Sequence, residues 1–185
     1  MVVLTVNVAT FIMMVAAAML SGSSSLLSGA LDNFGDSMTY VLSLAVISAT
    51  NTAKAKVAFF KGLMISSAAV AVAVQIGWRA FHPETPIFET MGVAALLNLG
   101  ANVFCLRLLT PYRDGDVNMS SAWECSRNDV TEGFVVIGAT LAVWAFHSGW
   151  PDLVAAVVLL IVFLRSAIRV VRGAWLEMHE IQRNN

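Results

Sequence analysis

Charged residues are scarce in this sequence. Only 12% of its 185 residues are Asp, Glu, Lys or Arg, while 58% are hydrophobic and the mean hydropathy is +0.75. A soluble domain averages about 25% charged and roughly 45–50% apolar residues. A soluble fold of this length could not bury so many apolar side chains. The composition therefore excludes an ordinary soluble domain and predicts an integral membrane protein.

Other absences exclude further classes of protein. The net charge is -1 and no block of Lys or Arg occurs, which argues against nucleic acid as a partner. The only cysteines, Cys105 and Cys125, lie in apolar runs, so we predict free thiols and no disulfide framework. We find no nucleophile paired with a base and no phosphate-binding loop. The sequence thus predicts neither an enzyme nor a prosthetic group.

Apolar runs long enough to cross a bilayer follow one another along the chain. The first, residues 2–20, lacks a charged leading region and is predicted to be a retained span and not a signal peptide. The predicted spans are 2–20, one that follows the turn at 21–25, and then about 57–78, 87–109, 119–146 and 153–171. The predicted fold class is all-α, a six-helix polytopic membrane bundle. We assign residues 1–175 to the transmembrane domain and 176–185 to a short cytoplasmic tail.

The basic residues predict how this bundle is oriented. Nine of the eleven lie after the second span, after the fourth span, or at the end of the sixth span and in the tail. Because Lys and Arg accumulate on the cytoplasmic side of a membrane, both termini are expected in the cytoplasm. The expected location is the inner (plasma) membrane of a bacterium.

Ionisable residues interrupt two of the apolar runs. Asp32 and Asp36 are four residues apart and share one helix face, as do Cys125 and Asp129, with Glu132 three residues further along. An unpaired charge at the centre of a membrane costs about 2.5–3.5 kcal/mol on insertion scales, so such residues indicate function. If the two faces meet, they can surround one divalent cation. The alternative is that they line a water-filled vestibule and bind nothing.

The donor atoms leave the identity of that cation open. Carboxylate oxygens alone suit Mg²⁺, Mn²⁺ or Ca²⁺, whereas a thiolate from Cys125 shifts the preference toward Zn²⁺, Cd²⁺ or Co²⁺. Clustered carboxylates in a low dielectric also hold protons when no metal is bound. Metal and protons would therefore compete for one site.

Three segments resemble the transmembrane domain of the cation diffusion facilitator family of metal-ion transporters. SGSSSLLSGALDNFGDS is similar to the motif on that family's second helix, NMSSAWECSRNDV to the motif on its fifth, and GWPDLVAAVVLLIVFLRSA to the start of its sixth. The resemblance covers about residues 6–171. Only about a dozen residues follow the sixth span, so we expect no counterpart of the cytoplasmic domain that usually follows in the family.

The resemblance implies a metal site formed by Asp32, Asp36 and Asp129, with Cys125 at a position where the family usually has His. Glu132 is an accessory ligand, a proton relay or a vestibule residue. The implied activity is proton-coupled efflux by alternating access, in which helices one, two, four and five move relative to three and six. A homodimer is also implied.

The expected cargo is Zn²⁺, with Cd²⁺, Co²⁺, Fe²⁺, Mn²⁺, Hg²⁺ and Pb²⁺ as alternatives. The expected partners are this cation, protons and the lipid bilayer. The competing interpretation is a non-transporting scaffold or metal-sensing accessory subunit derived from such a transporter.

Three further polar residues have predicted structural roles. Arg127 is expected to pair with Glu124, three residues earlier on the same helix. Asp152, near the outer end of the sixth span, is expected to be solvated at the membrane interface. Asn33 is expected to be an amide that packs helices together.

Overall fold

The computed structural model describes residues 1–45, 51–82, 84–114 and 117–183. In these ranges the chain is helical throughout apart from its connections, and no strand occurs, so the predicted all-α fold is confirmed. The helices are α1 (Val2–Ser21), α2 (Ser24–Ala45), α3 (Asn51–Phe81), α4 (Phe88–Leu109), α5 (Val117–Phe146) and α6 (Trp150–Arg183), with a short 3-10 helix at Thr110–Tyr112.

The helix bounds agree best with the predicted spans for α1, α4 and α5. α3 begins at Asn51, before the predicted start near 57, and α6 continues to Arg183, past the predicted end near 171. The division of the chain at residue 175 stays a prediction. Pro83 and Gly115, which fall between the predicted spans, lie outside the described residues.

Four helical segments in the described part of the chain are long and apolar enough to cross a membrane. They are Val2–Ser21, Gly62–Phe81, Phe88–Tyr112 and Ala122–Phe146. Large apolar side chains such as Leu96, Leu97 and Val154 are exposed on the outside of the bundle. An extensive apolar surface is expected on helices that face lipid.

The helix α2 lies at the centre of the bundle. Among the described residues it is the one helix that contacts all five others. The rings of Phe11 on α1 and Phe34 on α2 pack with their centroids 5.4 Å apart. Because α2 contacts every neighbour, its position determines where its polar side chains lie relative to the other helices.

The buried apolar side chains form two clusters, one on each side of α2. The first joins α1, α2, α4 and α5 with Ala155 and Leu159 of α6. The second joins α3 and α6 with Leu31 of α2. Leu27 packs against both clusters. The buried apolar side chains thus fall mainly into two groups, one from α1, α2, α4 and α5 and one from α3 and α6.

The connection between α1 and α2 is short and needs a left-handed residue. Gly22 has φ 71° and its N–H bonds to the carbonyl of Ala18, which ends α1. Glycine adopts this conformation without the steric cost that a Cβ adds. The carbonyl of Ser21 then accepts a hydrogen bond from the N–H of Ile87 at 2.9 Å. The turn is therefore tied to the residue just before α4.

Asp152, in the first turn of α6, caps the start of α2. Its carboxylate accepts bonds from the N–H groups of Ser24 and Ser25 at 2.7 and 3.1 Å, and from the hydroxyls of Ser23 and Ser25 at 2.6 Å each. The residue is only 2% exposed. The prediction that Asp152 is solvated was wrong, because these four donors replace water and the positive end of the α2 dipole favours its charge.

The basic side chains that predict the orientation are only partly described. The structure describes the backbone but not the side chains of Lys54, Lys56, Lys61, Arg169 and Arg183. The cytoplasmic location of both termini therefore stays a prediction.

We predict that Asp152→Ala lowers the thermal stability of the protein in detergent, because it removes a charged acceptor from four buried donors. The expected loss is on the order of 3 kcal/mol in the free energy of unfolding. The measurement is the Tm of the purified variant. Asp114→Ala is the matched control, because Asp114 is an exposed carboxylate paired with Arg113. Equal Tm values for the two variants would contradict the role of Asp152.

Candidate cation-binding site

Polar side chains from three helices surround a small cavity inside the bundle. Its volume of about 10 Å³ is close to the space that one water molecule needs. The lining residues come from α2 (Gly29, Asp32, Asn33), α4 (Asn98, Asn102) and α5 (Asp129, Glu132, Gly133, Val136). No Lys or Arg is among them. The cavity therefore concentrates carboxylate and amide groups without a basic side chain.

Three of the five residues predicted as ligands or accessory ligands meet at this cavity, namely Asp32, Asp129 and Glu132. Asp32 and Glu132 are neighbours at this cavity. The Oδ2 atom of Asp32 and the Oε2 atom of Glu132 are buried and have no hydrogen-bond partner. The cavity thus brings two carboxyl groups from different helices together.

Asp36 and Cys125 are not among the residues that line the cavity. Asp36, one turn after Asp32, interacts electrostatically with both Asp32 and Asp129. Tyr40, one turn further, interacts electrostatically with Asp36, Cys125 and Asp129. Cys125 itself is exposed. Neither residue lines the cavity, and we refer to Asp36, Tyr40 and Cys125 as the neighbouring level.

The described residues do not form a complete metal coordination shell. Among them, no group of three or more His, Cys, Asp and Glu side chains is arranged so that all could hold one metal ion. The ligand set Asp32, Asp36, Cys125 and Asp129 therefore stays a prediction.

The helix α4 contributes polar groups that the sequence interpretation missed. The Nδ2 atom of Asn33 on α2 donates to the Oδ1 atom of Asn98 at 2.9 Å, which confirms Asn33 as an amide that joins helices. Asn102, one turn after Asn98, is 2% exposed and its Oδ1 atom has no partner. The signal was two asparagines four residues apart in an apolar span, the same spacing that identified the aspartates.

The two cysteines are free thiols, as predicted. Cys105 on α4 is buried and interacts electrostatically with Asp129 and Asp36. Cys105, Asn98 and Asn102 thus form a polar side of α4, which faces the carboxylates of α2 and α5.

The predicted pairing of Arg127 with Glu124 is wrong. The guanidinium of Arg127 lies 5.3 Å from the centre of the Trp123 ring, and the ion pairs found among the described residues do not include Glu124. Trp123 is four residues before Arg127 on the same helix, and its ring face attracts a cation.

Comparison with known protein families gives one match. A family model described as the cation efflux transmembrane domain matches residues 1–178, which is nearly the whole chain. It agrees with the resemblance carried by the sequence motifs. No curated protein matches the chain.

We predict that N-ethylmaleimide modifies Cys125 at least roughly tenfold faster than Cys105 in the detergent-purified protein, because burial makes a thiol inert. Mass spectrometry of the digested protein measures the rate at each cysteine. Cys125→Ser serves as the control, since the fast modification should then disappear. Equal rates at the two cysteines would contradict the described packing of α4 and α5.

Proposed function

Because the chain belongs to the family of the cation efflux transmembrane domain, which is a family of metal cation transporters, we propose that it exports a divalent metal cation from the cytoplasm in exchange for protons. The observation that carries this proposal is the cavity between α2, α4 and α5. Asp32, Asp129 and Glu132 line it together, and two of their carboxylate oxygens are buried without a partner. A cation is a ligand that such carboxylate oxygens can bind.

Exchange with protons follows from the position of Asp32 beside Glu132. Two neighbouring carboxyl groups in a low dielectric would hold a proton between them, at the place where an arriving cation needs bare oxygens. When a divalent cation binds, that proton leaves; when the cation leaves, a proton returns from the side to which the site is then open. Movement of metal in one direction is thereby coupled to movement of protons in the other.

The two apolar clusters support alternating access. Most of one cluster comes from α3 and α6 and most of the other from α1, α2, α4 and α5, although Ala155 and Leu159 of α6 belong to the latter. A rocking movement of the two groups about the Asp152 cap, where α6 is bonded to α2, would change which end of the cavity is open while most of each cluster keeps its packing. Leu27 of α2, which packs against both clusters, would lie at the boundary of that movement.

The predicted ligands Asp36 and Cys125 define a second donor set. We propose that they hold the cation with Asp129 at the level next to the cavity, where Tyr40 interacts with all three. A thiolate there favours Zn²⁺ or Cd²⁺ over harder ions, and Zn²⁺ is our proposed cargo on this basis. The homodimer and the location in a bacterial inner membrane rest on the family resemblance alone.

We predict that Asp129→Asn abolishes metal-dependent proton flux in proteoliposomes, because Asp129 lines the cavity and also interacts with Asp36. The measurement uses a pH-sensitive dye inside the vesicles, whose lumen becomes alkaline as Zn²⁺ enters in exchange for protons. Asp36→Ala is expected to have the same effect.

Asp114→Asn is the matched control, since its carboxylate is 86% exposed and lies in the connection after α4. It should transport like the unmodified protein. Unchanged flux in both Asp129→Asn and Asp36→Ala would refute the site. An unmodified protein that moves no metal, in a host or in vesicles, would favour the scaffold or metal-sensing accessory subunit.

We also predict that Cd²⁺ slows the modification of Cys125 by N-ethylmaleimide, because a thiolate that coordinates metal cannot attack the reagent. The protection should disappear in Asp129→Asn but persist in Asp114→Asn. A rate that does not depend on Cd²⁺ would remove Cys125 from the ligand set without affecting the carboxylates.

A further inference from the structure

Arg79, near the end of α3, reaches across to the turn between α1 and α2. Its guanidinium lies directly against Gly22, because a Cβ built on Gly22 would come within 2.5 Å of the Nη2 atom. The Arg79 side chain is 17% exposed, and its Nη1 atom pairs with Oε2 of Glu84 at 3.2 Å. Glu84 belongs to the connection between α3 and α4, so one side chain joins two connections of the bundle.

The connection between α5 and α6 packs against the same place. A Cβ at Gly149 would overlap the carbonyl oxygen of Glu84. The serines that follow Gly22 are excluded from water, since Ser23 is 1% and Ser25 0% exposed. We call this end of the bundle, with the connections that contain Gly22, Glu84 and Gly149, the turn end. These contacts show that the turn end is closed in this structure.

Buried oxygens on α2 lead from the turn end to the cavity. Ser24, Ser28 and Asp32 follow one another at four-residue intervals and therefore share one side of the helix. The Oγ atoms of both serines and the Oδ2 atom of Asp32 are buried and have no hydrogen-bond partner. Successive positions are about 6 Å apart along the helix axis, and a water molecule can bridge polar groups at such a separation. We call these three residues the polar stripe.

Arg79 also joins the two groups of helices that pack in separate apolar clusters. Ile76, three residues before Arg79, packs in the cluster of α3 and α6, whereas Ala18, four residues before Gly22, packs in the other cluster. Asp152 joins the same two groups through its hydrogen bonds to the start of α2. In a rocking movement about Asp152, the contact between Arg79 and Gly22 is the one that has to part before the turn end can open.

From these contacts we propose that Arg79 is a latch that holds the turn end closed over the polar stripe, and that its release lets water and protons reach Asp32 from that end. The latch rests on the proposed transport function, because alternating access requires an end that closes and reopens. Its strength comes from the guanidinium that lies on Gly22. The pair with Glu84 contributes little by itself, since the Glu84 side chain is 76% exposed.

The test measures whether a thiol on the polar stripe becomes accessible when Arg79 is replaced. Ser28→Cys introduces this thiol without the loss of a hydrogen bond, because the Ser28 hydroxyl is buried and has no partner. In the purified protein, Arg79→Met should speed the modification of the thiol by a charged, water-soluble maleimide about tenfold or more, because the open state becomes more populated. Mass spectrometry of the digested protein measures the rate at each cysteine.

Arg113→Met is the matched control. Arg113 also pairs with a carboxylate, that of Asp114, but it lies after α4 at the opposite end of the bundle. Its replacement should change the rate at position 28 less than about twofold, because an exposed ion pair contributes little. No rise in Arg79→Met, or an equal rise in Arg79→Met and Arg113→Met, would overturn the proposal.

Cys105 separates opening of the turn end from general unfolding, because it is 2% exposed and is already present in the protein. Its modification should stay slow, and an acceleration equal to that at position 28 would overturn the proposal. Should Arg79→Met fail to fold, Arg79→Lys decides the matter. The ammonium keeps the charge but has no planar face to lie on Gly22, so the rate should again rise, and an unchanged rate would overturn the latch.

The labelling experiment needs neither metal nor transport. A protein whose turn end opens in Arg79→Met but which moves no metal would refute only the transport function. A protein that moves metal and whose labelling does not depend on Arg79 would refute only the latch.

Discussion

The arrangement of the bundle depends on the hydrogen bonds between the Asp152 carboxylate and the first residues of α2. Four donors from Ser23, Ser24 and Ser25 converge on it, so α2 cannot slide along α6 without leaving a buried charge unsatisfied. The backbone bond from Ile87 to Ser21 ties the same turn to α4. Because α2 contacts every other helix in the described part of the chain, this one cap fixes the height of Asp32 in the bundle.

The polar groups of the interior serve two purposes that conflict. Apolar helices in lipid gain little from burying more apolar surface, so amide bonds such as that between Asn33 and Asn98 help to hold them together. Satisfied amides of this kind are structural. Asp32, Asn102 and Glu132 have buried oxygens without a protein partner, and all three residues line the cavity, where a water or a cation would satisfy such oxygens. The polar interior thus combines amides that join helices with carboxylates that keep the capacity to accept from or bind a ligand.

The sequence predicts the helices and the carboxylates well because both depend on local spacing. Asp32 and Asp129 could be placed on facing helices from periodicity and the motif resemblance. The role of α4 could not, since Asn98 and Asn102 acquire a meaning only when tertiary packing brings them against Asp32. Asp152 was misread for a related reason. Its four donors lie more than a hundred residues away along the chain, and a carboxylate beside a predicted turn has solvation as its simplest explanation.

Asp129 belongs to both levels of polar residues, because it lines the cavity and also interacts with Asp36 and Tyr40. Replacing Asp129 would remove a carboxylate from both proposed donor sets. Such a variant therefore cannot tell which set binds the cation. Cys125 does not line the cavity, so its replacement would change the donors offered to a cation without removing a carboxylate from the cavity. A thiolate prefers softer cations than carboxylate oxygens do. The family match accounts for a cation, and under the proposed function the kind of cation would follow from whether Cys125 binds it.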